Sequence, residues 1–228
     1  MKLNKELAEI YYNVAEARKI LRIDAEAFQV ATQADLAACI ALNRQLFTVN
    51  NGEEDAIIAK RWATWLGKNP EIVYVLKKED EVVGIATMLP FRADSEKLKR
   101  ILQGDTSILL GDVDVTAEDI AEYKAGNSVQ LYIAEIGVKP SLAKNLRRTY
   151  GAKLIAKFID MVVALGKREI YIENIVAVGA TRSGIRLLQR FGFTEVTFSR
   201  SDTRLFSMDM KESGAPIVRA YREALGKI

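Results

Sequence analysis

The sequence predicts a mixed α/β (α+β) fold, and the observation that carries this prediction is the order of elements in residues 131–193. This stretch alternates a strand, a basic turn with a glycine, an amphipathic helix, a second strand and a short helix. A strand hairpin at residues 72–88 and a strand pair at residues 194–210 agree with it. A backbone-lined turn between two such strands suits an enzyme that grips a phosphorylated cofactor better than it suits a bare scaffold.

Composition and charge restrict the class of protein. Of the 228 residues, 49% are hydrophobic and 28% are charged, which is ordinary for a folded domain with a sizeable core. The net charge of +3 is too small to predict binding to nucleic acid, and no apolar run approaches the ~20 residues of a bilayer span. We therefore expect a cytoplasmic protein without a nucleic-acid or membrane partner.

Two residue types that carry much enzyme chemistry are scarce. The chain has no histidine and a single cysteine, Cys39, so an internal disulfide, an imidazole zinc site and a histidine-dependent triad are excluded. We predict no metal site. Cys39 falls within a predicted helix, and we interpret it as a small buried apolar residue.

Hydrophobic periodicity predicts the helices and strands. Apolar residues three and four apart predict an amphipathic helix at 3–22, which we interpret as the main part of an N-terminal helical extension, residues 1–27. Its apolar stripe suits the chain's own core or the contact of a homodimer. The pattern also predicts strands at 28–32, 72–76, 81–88, 169–176, 194–198 and 204–210, helices at 33–46, 54–66, 151–166, 185–188 and 217–225, and a loop at 177–180.

Residues 92–127 interrupt the strands with a mainly helical and increasingly acidic insertion. The stretch from Asp105 to Glu122 contains Asp105, Asp112, Asp114, Glu118, Asp119 and Glu122 and no lysine or arginine. One interpretation is a solvated helical face. The other is an acidic wall beside a site for a positively charged acceptor, such as a polyamine or a lysine-like amine.

The central strand is predicted at residues 128–138, and its apolar phase changes part-way along. Val129, Leu131 and Ile133 share one parity, whereas Ile136 and Val138 share the other. One extra residue near Ala134-Glu135 produces such a change, and a bulge there would open a gap to the next strand. A strand that is buried on both faces gives a similar pattern.

The following segment, residues 139–153, is basic and leads into a predicted helix. It contains Lys139, Lys144, Arg147, Arg148 and Lys153 and no acidic residue. Because the first turn of a helix offers unpaired N–H groups and a positive dipole end, we predict a phosphate cradle at residues 147–153. The alternative is an ordinary basic loop. The segment lacks the signatures of a Walker loop and of a dinucleotide-binding turn, because Gly151 stands alone.

Three motifs follow one another at a fairly specific spacing. They are Glu135-Ile136-Gly137-Val138-Lys139-Pro140, then Arg148-Thr149-Tyr150-Gly151-Ala152 with the helix after it, and finally Leu187-Leu188-Gln189-Arg190-Phe191-Gly192-Phe193. Together they resemble the GNAT superfamily of acyl-CoA-dependent N-acyltransferases. On this resemblance we assign residues 28–211 to a GNAT-like domain that contains the acidic insertion, and residues 212–228 to a C-terminal helix.

The resemblance implies a mixed, mostly antiparallel sheet flanked by helices, in which the fourth and fifth strands splay apart around acetyl-CoA or another acyl-CoA. The backbone of Ile136, Gly137 and Val138 would bind the pantetheine arm, and the N–H of Val138 would be the oxyanion donor. The residues that would hold the pyrophosphate are Arg147, Arg148, Thr149, Tyr150, Gly151, Ala152 and Lys153. Glu135, beside the predicted gap, is the candidate catalytic base; its other interpretation is an ion-paired or edge-facing carboxylate.

The chain departs from the family pattern at two positions. Thr149 stands where the first motif glycine often stands, and Leu188 replaces a tyrosine that in many members protonates the departing thiolate. A thiol with a pKa of about 8.5 can leave as a thiolate without that acid. Tyr150, Tyr171 and Ser183 are the candidate substitutes.

The predicted function is an N-acyltransferase, most simply an acetyltransferase, that moves an acyl group from acyl-CoA to a primary amine on a small molecule or an exposed amino group. One alternative is a synthase that takes longer acyl chains from CoA or from acyl carrier protein, an acidic protein that Lys144, Arg147 and Arg148 could dock. Another is a catalytically silent acyl-CoA-binding module, which Leu188 favours and Glu135 disfavours.

Overall fold

The computed structural model describes residues 28–46, 54–103, 115–196 and 204–226. The predicted helix at 3–22, with its extension and its homodimer contact, lies outside the described residues. The acidic stretch 104–114 does so as well. Among the described helices, none has both the length and the apolar character that a bilayer span requires.

Within the described residues, seven strands form one mixed sheet, whose order is β1-β2-β3-β4-β5-β7-β6. All neighbouring strands are antiparallel except β4 and β5, which are parallel. The mostly antiparallel sheet that the resemblance implies is therefore confirmed. The strands are β1 (Phe28–Val30), β2 (Val73–Lys78), β3 (Glu81–Arg92), β4 (Ser128–Val138), β5 (Tyr171–Gly179), β6 (Thr194–Val196) and β7 (Arg204–Asp209).

Helices cover both faces of this sheet. In the part of the chain that is described, the α-helices are α1 (Leu36–Leu46), α2 (Asp55–Lys68), α3 (Glu96–Leu102), α4 (Lys144–Lys167), α5 (Arg182–Arg190) and α6 (Pro216–Ala224). Buried residues of α1, α2 and α3 join one core cluster, and those of α4 and α6 join the other. Half-buried residues of α5 pack against the α4 cluster. We call the two sides of the sheet the α1 face and the α4 face.

The two central strands owe their position to apolar residues on both faces. Residues 82–91 of β3 are buried without interruption, as are residues 129–132 of β4. On the α4 face, Leu154 and Val162 are fully buried, and each such side chain contributes about 1.5–3 kcal/mol by leaving water. The centre of the sheet is therefore packed with apolar side chains and excludes water.

The C-terminal helix α6 is fixed to the beginning of β5 by one hydroxyl group. The hydroxyl of Tyr221 accepts a hydrogen bond from the N–H of Ile172 at 2.6 Å and donates one to the carbonyl of Ile170 at 2.7 Å. A Cβ on Gly166 of α4 would lie 2.9 Å from the same tyrosine ring, so only glycine allows this approach. Helix α6 thus belongs to the same core as the sheet.

Three predictions about elements need correction. Helix α4 begins at Lys144 instead of Gly151, because an interior glycine costs only about 1 kcal/mol and the preceding residues tolerate a helix. Strand β5 continues to Gly179, through the predicted loop at 177–180. The predicted insertion is helical only in α3 and in a short 3-10 turn at Ala117–Asp119, as far as it is described.

Candidate active site at the gap between the central strands

The central strand β4 contains the predicted bulge. Glu135 pairs with Thr87 of β3 and Ile133 pairs with Met88, so Ala134 is the extra residue. Ile133 before the bulge and Ile136 after it both pack against the α4 cluster, whereas Ala134 packs against the cluster of the α1 face. The change of apolar phase in the sequence is therefore explained by one inserted residue.

Strands β4 and β5 stop pairing at this bulge. Their last paired residues are Ile133 and Ala177, yet β4 continues to Val138 and β5 to Gly179. The implied splay of the fourth and fifth strands is thus confirmed. The open edge of β4, residues 134–138, borders a gap beside the bulge.

Backbone groups on this open edge lack a strand partner. The N–H of Lys139 donates to the carbonyl of Val83 in β3 at 2.9 Å. Backbone groups alternate in direction along a strand, so those of Gly137 point to β3 as well, and those of Ile136 and Val138 point into the gap. An extended amide-bearing ligand could pair with them as an added strand does.

Glu135 is held beside this gap by two side chains. Its Oε1 accepts a hydrogen bond from the Thr87 hydroxyl at 2.7 Å, and its Oε2 accepts one from the Asn43 amide of α1. The residue is only 4% exposed. Burial raises the pKa of this carboxyl above its ordinary value, and the two hydrogen bonds offset part of that effect. A carboxylate with a raised pKa is a better proton acceptor than an exposed one.

Helix α1 roofs the strand on the side of Glu135. Asn43 reaches the carboxylate, and one turn later Leu46 lies over Gly137: a Cβ there would be 2.4 Å from Leu46 Cδ1. The neighbouring Cys39 is fully buried, as its sequence context predicts. Burial and the nearby Glu135 raise the pKa of its thiol to about 12, so the thiol stays protonated and is not a nucleophile here.

The predicted phosphate cradle does not lie in the first turn of its helix. The N–H of Arg147 already donates to the carbonyl of Ala143 at 2.9 Å, so the unpaired N–H groups of α4 precede it, at residues 143–146. No side chain caps this end of the helix. A backbone cradle at 147–153 is therefore wrong, and what remains there as a prediction is binding by side chains.

The side chains of that segment have varied surroundings. Arg147, Arg148 and Thr149 are exposed on α4, and the Lys153 ammonium lies 5.9 Å from the centre of the Tyr150 ring. Nothing lies within 4 Å of a Cβ built on Gly151, so close packing does not require the glycine. Ala152 is half-buried. Lys139 is neutralised by an ion pair with Glu81 at the start of β3.

Helix α5 follows the second strand of the gap. Leu188 packs against the α4 cluster as a half-buried apolar residue, so it supplies packing where the family pattern has an acid. A Cβ on Gly179 would lie 2.6 Å from Ile185, which holds α5 close to the end of β5. Of the candidate substitutes for the missing acid, Tyr150 and Tyr171 are half-buried and Ser183 is exposed.

The described acidic residues lie at the other end of the sheet. Ile120 bridges to Phe91 near the end of β3, far from the bulge. Asp119 pairs with Lys97 at 2.6 Å, and Glu122 pairs with Lys68 at 2.7 Å. The acidic wall is wrong for these residues. A cleft of about 550 Å³ opens here, but its charged lining is largely paired, so we do not place the chemistry in it.

Two residues of the site have no motif in the sequence. Thr87 is a polar residue within the apolar strand β3, and Asn43 is an amide on the helix that precedes it. The only available signal was the isolated hydroxyl group among apolar neighbours. Their contact with Glu135 depends on the strand register and on the placement of α1, which the sequence pattern does not specify.

Comparisons with known proteins complete the description. No family model matches the chain, and no curated protein matches it. Two solved structures superpose with a TM-score of 0.51 each. The first is the loading GNATL domain of CurA from Lyngbya majuscula, at 17% identity over 82% of this chain and 98% of that one. The second is the GphF GNAT-like decarboxylase in complex with isobutyryl-CoA, at 16% identity over 80% of this chain and 98% of that one.

Proposed function

From the GNAT fold that the chain shares with these two structures, we propose that the protein is an N-acyltransferase. It takes an acyl group from acyl-CoA, most simply acetyl-CoA, and delivers it to a primary amine by direct attack. The observation that carries this proposal is the position of Glu135, a buried carboxylate with a raised pKa beside the gap of the sheet. A bare binding module has no use for a proton acceptor there.

The open edge of β4 supports the donor side of the proposal. The backbone groups of Ile136 and Val138 that point into the gap match the amides of a pantetheine arm. The uncapped first turn of α4 follows directly and suits a phosphate group, with the exposed side chains of Arg147 and Arg148 nearby in the chain. The GphF structure was determined with isobutyryl-CoA, which agrees with a CoA ligand in this fold.

Glu135 and Val138 divide the work of the transfer step. Glu135 accepts the proton that the amine loses, directly or through a water molecule, while Asn43 and Thr87 keep its oxygens in place. The N–H of Val138 donates a hydrogen bond to the oxygen that gains negative charge as the amine attacks. Leu188 stands where the family pattern has an acid. Because a thiol has a pKa of about 8.5, the sulfur can leave as a thiolate without that acid.

A second candidate is an acyl-CoA-binding protein without turnover. Two observations favour it: Glu135 is only 4% exposed beneath α1, and Leu188 is a packing residue. Any measurable transfer to an amine decides between the two candidates. The decisive variant is Glu135→Gln, which would lower turnover at least about 100-fold in the enzyme and change nothing in a silent binder.

Titration calorimetry with acetyl-CoA, CoA and a long-chain acyl-CoA tests the donor site. We expect micromolar binding, weakened about tenfold when the pair Arg147→Ala and Arg148→Ala removes two phosphate contacts. The matched control removes two exposed cations elsewhere, Lys211→Ala and Arg219→Ala, and should leave the affinity unchanged. Absence of binding to all three ligands would overturn the CoA-based assignment.

A further inference from the structure

Helix α5 carries three arginines and no acidic residue. Its sequence begins with Arg182 and ends with Arg190, and Arg186 lies between them. Because residues four apart share one side of a helix, these like charges lie close together and repel one another. Arg182 and Arg186 are exposed, and no carboxylate within the described residues pairs with either of them. Helix α5 therefore presents uncompensated positive charge to a ligand.

This basic helix begins at the same edge of the sheet as α4. Strands β4 and β5 are parallel, so their C-terminal ends lie at one edge, where the gap opens. Helix α4 begins at Lys144, shortly after β4 ends at Val138, and α5 begins shortly after β5 ends at Gly179. Both helices pack against the core cluster of the α4 face. The beginnings of the two helices therefore flank the gap on one face of the sheet.

Cations on the neighbouring strands are neutralised, unlike those of the two helices. Lys139, directly after β4, pairs with Glu81. Arg204 lies opposite Gly179 in the sheet and pairs with Glu195 at 3.5 Å. The charge of these two residues is therefore balanced within the protein. The exposed arginines that remain for a ligand form two groups, Arg147 and Arg148 on α4 and Arg182 and Arg186 on α5.

Two separate groups of cations suit a ligand with two separate anionic groups. The nucleotide half of CoA is such a ligand, because its ribose carries a pyrophosphate at the 5′ position and a phosphomonoester at the 3′ position. We propose that Arg182 and Arg186 bind the 3′-phosphate of CoA, while the group on α4 binds the pyrophosphate. This inference rests on the proposed function. It makes α5 the element that distinguishes CoA from a donor without a 3′-phosphate.

Arginine side chains supply this site, and the end of the helix does not. The Oγ1 of Thr181 accepts a hydrogen bond from the N–H of Gly184 at 3.0 Å, so the protein itself caps the first turn of α5. A guanidinium group offers parallel N–H donors that match two oxygens of a phosphate. A phosphomonoester carries close to two negative charges at neutral pH, so two neighbouring arginines balance it.

Calorimetric titration with CoA and with 3′-dephospho-CoA tests this assignment. The two ligands differ only in the 3′-phosphate, so the ratio of their Kd values isolates its recognition. We expect the wild type to bind CoA about tenfold more tightly than dephospho-CoA. In the double variant Arg182→Ala with Arg186→Ala, the affinity for CoA should fall to that for dephospho-CoA, which should itself stay unchanged.

Two further variants separate the α5 group from the α4 group and from changes in the helix. Arg147→Ala with Arg148→Ala should weaken the binding of both ligands and keep the ratio of their Kd values. Gln189→Ala changes an exposed neutral residue of α5 and should alter neither affinity.

The possible failures of this inference and of the proposed function can be told apart. The inference is overturned if the wild type binds both ligands equally, or if the α5 double variant keeps the wild-type ratio. The proposed function stands in both of these cases, because CoA is still bound. If the wild type binds neither ligand, the proposed function fails and the inference fails with it.

Discussion

The two halves of β4 both pair with β3, but only the first half also pairs with β5. Residues 128–133 pair with both β3 and β5, and Val129 and Leu131 there are fully buried. Residues 134–138 pair with β3 alone, and most of them are half-buried. One added residue, Ala134, separates a half that holds the core together from a half that is open to a ligand. The unpaired edge of β4 therefore depends on the register of the strand more than on its composition.

Deletion of Ala134 is the strongest way to break this comparison. The pairs Ile133 with Met88 and Glu135 with Thr87 can both persist without the extra residue, so regular pairing replaces the bulge. The straightened strand could then pair further along β5 and close the gap. We expect acyl-CoA binding to fall by at least about 100-fold while the free energy of unfolding is kept.

Calorimetry and urea unfolding measure the two effects of this deletion separately. Deletion of a residue in the turn after β2, such as Asp80, is a control for the general cost of shortening the chain. If the Ala134 deletion variant folds and keeps its affinity for acyl-CoA, binding does not depend on the bulge.

The substitution Glu135→Gln tests whether the open half of β4 takes part in catalysis. Loss of a positioned proton acceptor typically costs about 10²–10⁴ in rate, so we expect kcat to fall at least 100-fold while the Kd for acetyl-CoA changes little. Asn43 can flip its amide to bond the new glutamine, which preserves the contacts of the site. Steady-state kinetics together with calorimetry measure the two effects; unchanged kcat would exclude Glu135 as the base.

The raised pKa of Glu135 predicts how rate and stability respond to pH. The ionised form accepts the proton, so kcat/KM should rise with pH through a midpoint above the ordinary carboxyl value of about 4.3. The folded protein holds this proton more tightly than the unfolded chain, so its stabilising effect is complete below about pH 4.3 and is lost as pH rises through the folded pKa. Urea unfolding across this range should show the loss in the wild type, and a smaller one in Glu135→Gln.

Truncation of one apolar residue in each half of β4 tests whether the two halves contribute differently to the free energy of unfolding. Leu131 is 0% exposed, so Leu131→Ala should lower the free energy of unfolding by about 2–5 kcal/mol. Val138 is half-buried on the open edge, so Val138→Ala should cost about 1 kcal/mol or less. Urea unfolding measures both. Equal losses would mean that the open half is packed as tightly as the closed one.

Thr87→Val is expected to have the smallest effect on activity. It removes the hydroxyl that donates to Glu135 and keeps the shape of the side chain. Without this donor the pKa of Glu135 should rise further, so the kcat/KM profile should move to higher pH, with activity lost on the acid side of the profile. An unshifted profile would mean that the hydroxyl does not tune the carboxyl.

The sequence pattern contained the bulge and singled out Glu135, but it did not contain the residues that hold Glu135 in place. The parity of apolar residues around Ala134 predicted the inserted residue, and its position beside that bulge predicted Glu135. Asn43 and Thr87 contact Glu135 across sequence separations of 92 and 48 residues. No local periodicity encodes such contacts, because they depend on register and on where a helix comes to rest.

The error at the start of α4 has a different cause. The predicted helix begins at Gly151 because the apolar stripe at helical spacing starts only after this residue, at Leu154. The preceding stretch of lysine, leucine and arginine has good helix propensity, and an interior glycine costs too little to stop it. A motif residue thus lies within a regular helix, and the unpaired N–H groups move about one turn earlier in the chain.

The parallel pairing of β4 with β5 also has a consequence for folding. The chain that connects β4 to β5 contains the whole of helix α4, whereas β2 and β3 are joined by a tight turn. Pairing across such a crossover pays more loop-closure entropy and forms late. The gap exists only after β4 has paired with β5. A ligand that fits the gap therefore binds the folded protein and not the unfolded chain. We expect acyl-CoA to slow unfolding and to leave the rate of folding nearly unchanged.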